Sequence, residues 1–359
     1  MRGILLLEEG TAFEGVSIGA TGEWIGEVVL NTAVVGYQEM MTDTANAGKI
    51  LVLTYPLIGN YGMATRFSES ARPWIGSLII REKSRIYSNW QAEFALSQFL
   101  DEHHLLALSE VDTRTLAVKI RDRGEMPGIV STADTTKTEL ARKLKEGKER
   151  VPKDFISRIS VSRVVEVAGS GSGLTLAVLD LGIHNGFLRQ LKQLAGRILL
   201  LPYHTSPEAI LELKPDGLIV SNGPEEDEAL PRIVETVRHL LGKIPLLGIS
   251  TGHEVICLAL GGRRKRMKLG HRGANYPVLP PSSLRGQITF QNHSWVVEEE
   301  SLQEIEGVTI TLRNLNDDTV EEVEADSLRL LGVQYYPISP GLGEINPVFL
   351  RFRRMIKGR

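Results

Sequence analysis

The sequence predicts an α/β fold with two domains, and two patterns along its 359 residues support this prediction. Up to about Asp134, short apolar runs alternate with Gly, Asn, Asp and Pro, which is typical of β-strands and turns. From Leu174 onward, strand and helix signals alternate, which favours a mostly parallel sheet flanked by helices. The chain is long enough to give each of two domains its own hydrophobic core.

The first part contains strand signals followed by helix signals. Apolar runs predict strands at 28–30, 50–53 and 78–80. Residues 91–103 have apolar side chains at helical spacing, which predicts a helix. A second helix is predicted from Thr113 to Arg123, because Asp112 is a favourable N-cap.

A charged segment and a Gly/Ser run separate the two parts. Residues 137–150 predict a polar helix, and the run at 168–173 is typical of a flexible linker. A dinucleotide-binding glycine loop follows its strand and opens a helix, whereas this run precedes a strand, so we do not expect it to bind a cofactor. We therefore expect one domain over 1–150, a linker over 151–173 and a second domain over 174–359.

The second part alternates strands with helices. Strand signals occur at 176–179, 198–201, 217–220 and 245–249. Helix signals follow them at 185–194, 206–213, 231–241 and 252–260. The helix that starts at Ser206 is expected to use this serine as its N-cap. Later runs at 287–290 and 308–312 predict an antiparallel extension of the sheet.

The composition excludes several classes of protein. The 41 basic and 44 acidic residues leave a net charge of −3, which does not favour a nucleic-acid-binding protein. The basic run at 263–266 is interpreted as a solvated loop, with contact to a partner subunit as the alternative. The single cysteine, Cys257, excludes an internal disulfide and is expected to be a small buried hydrophobe. No apolar stretch is long enough for a membrane span and no signal peptide is evident, so we expect a cytoplasmic protein.

The sharpest chemical signal is the segment Gly248–Gly252, which reads G-x-S-x-G between a predicted strand and a predicted helix. In this arrangement a nucleophile, here Ser250, lies on a tight strand-to-helix turn. A serine hydrolase of this kind needs an acid and then a histidine later in the chain. The last histidine is His293, and Glu254, on the same helix as the serine, is the one acidic residue between the two. The order of residues therefore argues against a serine hydrolase.

Further motifs accompany this turn and together resemble a known family. They are Gly36-Tyr37-Gln38-Glu39, Leu53-Thr54-Tyr55-Pro56, Asp112-Thr113-Arg114, Ser221-Asn222-Gly223-Pro224, Lys268-Leu269-Gly270-His271 and Gln291-Asn292-His293. In order and spacing they are similar to the small subunit of carbamoyl-phosphate synthase, a class I glutamine amidotransferase, over about residues 4–356. The resemblance implies a family-specific mixed β/α domain at the N-terminus and an amidotransferase domain after it.

The resemblance also implies a partner and a reaction. The expected partner is the large subunit of carbamoyl-phosphate synthase, which binds ATP and Mg²⁺ and makes carbamoyl phosphate from bicarbonate and ammonia. Family small subunits hydrolyse glutamine and deliver the ammonia through a tunnel, for arginine and pyrimidine biosynthesis. The resemblance implies no cofactor in the present chain.

The catalytic positions depart from the family pattern. Ser250 replaces the nucleophilic cysteine, Tyr336 replaces the general-base histidine and Ile338 replaces the glutamate that orients it. The segment that carries Tyr336 and Ile338 is also one residue shorter than in the family. Serine needs an adjacent base because its hydroxyl is a weak nucleophile. We therefore expect that this chain does not hydrolyse glutamine.

The resemblance also assigns eight positions to the glutamine pocket, and several of them differ from the family pattern. They are Ala47, Gly223, Glu225, Thr251, Glu254, Asn292, Ser294 and Trp295. Glu225 and Ser294 replace glycines, Glu254 replaces a glutamine and Ala47 replaces a serine, whereas Gly223 and Asn292 are retained. We expect the Glu225 carboxylate to oppose a developing oxyanion, because like charges repel.

Three functions fit this sequence. In the first, the chain is a scaffold or regulatory subunit of a synthase that uses free ammonia. In the second, some glutamine hydrolysis survives. In the third, the altered pocket binds another small molecule.

Overall fold

The computed structural model describes residues 2–281, 283 and 285–358, and it divides the chain into two units. The first unit comprises Met1–Pro152 together with Lys268–Arg272. The second comprises Lys153–Met267 and Gly273–Arg359. No helix among the described residues is long and apolar enough to cross a membrane.

A closed β-barrel forms the centre of the first unit. The strands of this unit are β1 (Arg2–Leu7), β2 (Ala12–Ser17), β3 (Glu23–Asn31), β4 (Ile50–Leu53), β5 (Leu57–Ile58), β6 (Ser77–Ile79), β7 (Glu82–Lys83), β8 (Leu106–Ser109) and β9 (Met126–Ser131). The order around the barrel is β1-β2-β8-β6-β4-β3-β9, and β5 pairs with β7 outside it. The predicted strands at 28–30, 50–53 and 78–80 correspond to β3, β4 and β6.

The helices of the first unit begin where the sequence supplies a cap. They are α1 (Tyr37–Thr42), α2 (Leu96–Glu102), α3 (Thr113–Arg123) and α4 (Lys137–Gly147). The predicted cap of α3 is confirmed, since the Asp112 carboxylate accepts the backbone N–H of Thr115 at 3.0 Å. Helix α2 starts later than predicted, because Phe94 forms a β-bridge with Met63 just before it.

A buried ion pair links the two sequence segments of the first unit. Arg272 and Glu125 are in contact, and each side chain is only 1% exposed. The Glu125 carboxylate also accepts the backbone N–H of Gly270 at 3.1 Å. In addition, the N–H of Glu125 donates to the carbonyl oxygen of Lys268 at 3.0 Å. The first unit is therefore completed by a segment that comes much later in the chain.

A mixed sheet forms the centre of the second unit. Its strands are β10 (Val165–Ala168), β11 (Ser172–Asp180), β12 (Ala195–Pro202), β13 (Gly217–Val220), β14 (Leu246–Ile249), β15 (Arg264–Leu279), β16 (Gln287–Val297), β17 (Thr309–Asn314), β18 (Val320–Ala325) and β19 (Leu330–Val333). Their order is β10-β12-β11-β13-β14-β19-β18-β17-β15-β16. The pairs between β12, β11, β13, β14 and β19 are parallel, whereas β17, β18 and β19 pair antiparallel, as predicted for the extension.

Helices cover both faces of this sheet. They are α5 (Phe155–Ile159), α6 (Asn185–Leu194), α7 (Pro207–Glu212), α8 (Leu230–Leu240), α9 (Thr251–Ala259), α10 (Glu299–Gln303) and α11 (Pro347–Ile356). Helices α8 and α9 contribute to one apolar core, and α6 and α11 contribute to the core on the other side. The α/β class is thus confirmed. As predicted, Ser206 caps α7 by accepting the N–H of Ala209 at 3.3 Å.

The segment 151–173 differs from the flexible linker that its composition predicts. It contains α5 and the edge strand β10, which pairs with β12. The glycines and serine after β10 are held by the backbone, with the N–H of Gly169 bonded to Gly196 at 3.0 Å and that of Ser170 to Lys192 at 2.7 Å. A Cβ at Gly169 would lie 2.0 Å from the carbonyl oxygen of Ala195, so close packing of the backbone explains this glycine.

Removal of the α3 cap should expose the first turn of that helix. We expect Asp112→Ala to cost about 1 kcal/mol locally, because the N–H of Thr115 loses its acceptor. Hydrogen–deuterium exchange should then be about fivefold faster at the amides of α3. Asp112→Asn retains a side-chain oxygen and should exchange like the unchanged chain. Equal exchange in all three proteins would contradict the assigned cap.

Candidate functional site

The backbone turns sharply between β14 and α9. Ser250 lies there with φ 53° and ψ −112°, a conformation that non-glycine residues rarely adopt. Its neighbours must be small, because a Cβ at Gly252 would lie 1.9 Å from the carbonyl oxygen of Val220. A Cβ at Gly248 would lie 2.5 Å from the carbonyl oxygen of Gly252. The predicted strand–turn–helix geometry is thus present.

The Ser250 hydroxyl lies at the carboxyl edge of the sheet, and no base in the described part of the chain hydrogen bonds to it. Ser250 is fully buried, and its backbone N–H donates to the carbonyl oxygen of Val333 at 2.8 Å. Among the described residues its Oγ has no hydrogen-bond partner. A serine nucleophile transfers its proton to a base as it attacks, and such a base is normally within hydrogen-bond reach.

The other two triad positions follow β19, the parallel neighbour of β14. Tyr336 is 3% exposed, and its ring packs against His184, Phe187 and Phe290 at centroid distances of 4.9, 5.7 and 6.1 Å. Ile338 is 48% exposed and carries no group that can orient a base. Tyr336 therefore extends the apolar core of this unit.

The loop after β13 contains the motif Ser221-Asn222-Gly223-Pro224 and is held close to the turn. The Thr251 hydroxyl donates to the carbonyl oxygen of Gly223 at 2.6 Å. A Cβ at Gly223 would lie 2.3 Å from the carbonyl oxygen of Leu181, which explains why glycine is retained. The Ser221 hydroxyl accepts the N–H of Leu181 at 2.9 Å. These contacts fix the backbone of the loop independently of the residue at position 250.

The next residue of this loop, Glu225, points its carboxylate at strand β16. The residue is 3% exposed. Its two oxygens lie 2.9 and 2.8 Å from the backbone nitrogen of Ser294, and one of them lies 3.1 Å from that of Trp295. The sequence led us to expect this carboxylate at an oxyanion position, whereas the structure places it on the backbone of two other predicted pocket residues.

A second carboxyl group, that of Glu254, lies beside the first. It is fully buried, it hydrogen bonds to the Glu225 carboxyl, and its Oε2 is 2.5 Å from Nη1 of Arg264. Burial and repulsion from Glu225 raise the pKa of Glu254 to about 8, although Arg264 opposes the shift. Glu254 is therefore mainly protonated at neutral pH.

Arg264 belongs to the basic run that was interpreted as a solvated loop, and that interpretation is wrong for this residue. Its side chain is only 17% exposed. Its Nη1 also donates to the carbonyl oxygen of Glu225 at 3.0 Å, and its guanidinium lies 4.4 Å from the ring centroid of Trp295. The two buried carboxyl groups of Glu225 and Glu254 favour a nearby cation, but the sequence of the basic run does not indicate which of its four residues supplies it.

The remaining predicted pocket residues are also buried. Asn292 and Ser294 lie in β16 and are 3% and 2% exposed. Ala47 lies in the first unit, directly after the 3₁₀ helix Thr44–Asn46, and is 8% exposed. The Trp295 ring is half-buried, and its Nε1 donates to the Glu226 carboxylate at 3.1 Å.

Two titratable residues of α9 have structural roles. His253 is fully buried, and burial lowers its pKa to about 4, so the ring is neutral at pH 7. The Cys257 sulfur lies 3.9 Å from this ring, and burial raises the pKa of the thiol. Since the thiolate is the reactive form, Cys257 is not a substitute nucleophile.

Comparison with known proteins relates the chain to one family. A family model described as carbamoyl-phosphate synthase small chain, CPSase domain, matches residues 5–130, and one described as glutamine amidotransferase class-I matches residues 177–354. The carbamoyl phosphate synthase small chain of Clostridium acetobutylicum is 37% identical over 353 residues, which are 98% of this chain and 99% of that protein. The pyrimidine-specific small chain of Bacillus subtilis is 37% identical over 358 residues, 99% of this chain and 96% of that protein.

A solved structure also resembles part of the chain. The glutaminase domain of Trypanosoma brucei CTPS, with bound acivicin, is 19% identical and covers 52% of this chain and 94% of its own, with a TM-score of 0.41.

The raised pKa of Glu254 has a consequence for stability. A carboxyl group with a raised pKa stabilises the folded state below its unfolded pKa of about 4.5, and this contribution is lost as the pH rises towards about 8. Glu254→Gln keeps the buried hydrogen bonds without the ionisation. We therefore expect its melting temperature, relative to the unchanged chain, to rise between pH 6 and pH 9.

Glu299→Gln is the matched control for this measurement. Its contact with Arg313 lowers the pKa of Glu299, so this contribution is lost only in acid. Relative to the unchanged chain, the control should show no trend between pH 6 and pH 9. A flat profile for Glu254→Gln would show that the Glu254 carboxyl has an ordinary pKa.

Proposed function

Because this chain belongs to the family of carbamoyl-phosphate synthase small chains, we propose that it is a small subunit that does not hydrolyse glutamine. In this proposal it assembles in the cytoplasm with a large subunit that binds ATP and Mg²⁺. That partner makes carbamoyl phosphate from bicarbonate and free ammonia. The observation that carries the proposal is the buried Ser250 hydroxyl, whose oxygen has no hydrogen-bond partner among the described residues.

The chemistry of the three triad positions supports the loss of hydrolysis. A tyrosine phenol, with an ordinary pKa of about 10, is a poor proton acceptor near pH 7. The ring of Tyr336 is packed in an aromatic cluster with His184 and Phe187. Loss of a general base costs about 10²–10⁴ in rate, and loss of a complete triad costs about 10⁶ in a protease where this was measured.

Retention of the rest of the chain supports a role in the complex. The family match in the first unit covers residues 5–130, and the second unit keeps its match over 177–354. Packing alone explains the glycines of the turn, because Gly248 and Gly252 leave no room for a Cβ. In this proposal the subunit supports or regulates its partner and closes the entrance through which ammonia would otherwise arrive from glutamine.

The geometry of the turn favours residual hydrolysis as the second candidate function. Ser250 still has the strained backbone of a nucleophile, and Thr251 begins a helix whose first N–H groups can stabilise negative charge. In that case Ser250→Ala would abolish a measurable hydrolysis of glutamine. We prefer the first function because none of the described residues supplies a base that hydrogen bonds to the Ser250 hydroxyl.

Restoring the family nucleophile alone should not restore activity. In the complex with the large subunit, we expect Ser250→Cys to hydrolyse glutamine no faster than the unchanged chain, because Tyr336 and Ile338 supply neither base nor orienting acid. Glutamine should support carbamoyl phosphate synthesis at least about 10⁴-fold more slowly than ammonium. The measurement is synthesis from each nitrogen source, together with glutamate release.

Ser250→Ala is the control, and it should match the unchanged chain in both assays. Synthesis from ammonium shows that the complex is intact. Equal synthesis from glutamine and ammonium in the unchanged complex would refute the proposed function. Failure of the chain to copurify with a large ATP-binding subunit would refute the proposed partner.

A further inference from the structure

Two neighbouring backbone N–H groups in β16 converge on one carboxylate. They belong to Ser294 and Trp295, and the carboxylate is that of Glu225 at 2.8–3.1 Å. Adjacent N–H donors form a good site for a carboxylate, because its two oxygens offer several lone pairs and carry the charge. Glu225 and Ser294 are only 3% and 2% exposed, so this carboxylate site is buried.

We propose that Glu225 is a tethered anion that fills the carboxylate-binding position of the pocket and keeps free amino-acid carboxylates out of it. The inference rests on the proposed function for the identity of the pocket, since Ser294 and Trp295 align with positions that contact glutamine in the family. It adds a reason for inactivity that does not involve Ser250: the pocket is closed to the substrate as well as unable to cleave it.

Arg264 and Glu254, two charged groups beside Glu225, are already bonded. Arg264 already bonds to the Glu254 carboxyl and to the carbonyl oxygen of Glu225. The Glu225 and Glu254 carboxyl groups hydrogen bond to each other. A free carboxylate entering this site would meet a carboxylate already bound to the N–H donors, and like charges at short distance repel. The Nη1 group of Arg264 is therefore already bonded to the Glu254 carboxyl and to the backbone of Glu225.

The side chains over this cluster hold the tethered carboxylate in place. The guanidinium of Arg264 stacks on Trp295 at 4.4 Å, and Nε1 of that tryptophan donates to Glu226 at 3.1 Å. Glu226 in turn pairs with Arg266 at 3.6 Å. The loop that carries Glu225 is thus fastened on both sides of the tethered carboxylate.

The test is chemical rescue of a variant that lacks the tethered carboxylate. Glu225→Ala leaves the N–H groups of Ser294 and Trp295 without this acceptor, so a free carboxylate can bind them. At pH 7 we expect sodium acetate to raise the melting temperature of this variant by about 2–4 °C at concentrations well above its Kd. The unchanged protein should show no such rise. Sodium chloride at equal ionic strength should have no specific effect on either protein.

Two matched variants locate the effect. Glu225→Gln keeps a side-chain oxygen on the same N–H groups and should not respond to acetate. Glu226→Ala changes the neighbouring acid but leaves the tethered carboxylate, and it should not respond either. An equal response of all proteins to acetate, or no response of Glu225→Ala, would overturn the inference.

A second variant keeps the test decisive if Glu225→Ala does not fold. Glu225→Gly restores the glycine that the family has at this position, and it should show the same rescue by acetate. If neither variant folds without acetate, folding with acetate but not with chloride supports the inference, and folding with neither overturns it. These readouts do not depend on glutamine hydrolysis, so an inactive complex without the acetate response would refute the inference and leave the proposed function standing. Hydrolysis of glutamine by the unchanged complex would refute both the proposed function and the exclusion of carboxylates.

Discussion

Between β14 and α9 the backbone reverses at a single residue, Ser250, with φ 53° and ψ −112°. Such a conformation costs about 1–3 kcal/mol, and the packing around it must hold it in place. Here Gly252 lies against the carbonyl oxygen of Val220 with no space for a Cβ. Thr251 then fixes the loop at Gly223. The shape of the turn therefore depends on these contacts of Gly252 and Thr251.

Three charged residues, Glu225, Glu254 and Arg264, form one cluster near this turn. Arg264 donates to the Glu254 carboxyl and to the backbone carbonyl oxygen of Glu225, and the raised pKa of Glu254 lets that carboxyl keep its proton near neutral pH. Buried polar groups need partners, and in many binding sites a ligand or water supplies them. In this chain Glu225 is the partner of the backbone at Ser294 and Trp295. Glu225, Glu254 and Arg264 are thus connected by hydrogen bonds to one another and to the backbone of β16.

Local signals predicted much of the fold, and long-range contacts account for the rest. The N-caps Asp112 and Ser206 were predicted correctly, because each accepts a hydrogen bond from a residue only three positions later. The start of α2 depends on the bridge from Phe94 to Met63, which a local pattern does not contain. The glycine/serine run after β10 was predicted to be flexible because its composition does not reveal its hydrogen bonds to the backbone of α6 and β12.

The candidate site shows even more clearly that local sequence patterns do not predict long-range contacts. The loss of glycine at position 225 was visible in the sequence, but the acceptor role of Glu225 was not, because its donors are backbone groups that every residue possesses. Arg264 stands in a run of four basic residues, and composition does not indicate which of them is buried.

The return of Lys268–Arg272 to the first unit has a consequence for how the chain is made. Glu125 is synthesised long before Arg272, its buried partner. Until residues 268–272 have been synthesised, neither the ion pair with Arg272 nor the bond from the N–H of Gly270 to Glu125 can form. A gene split after residue 152 would therefore produce an N-terminal fragment that lacks the last segment of its own unit.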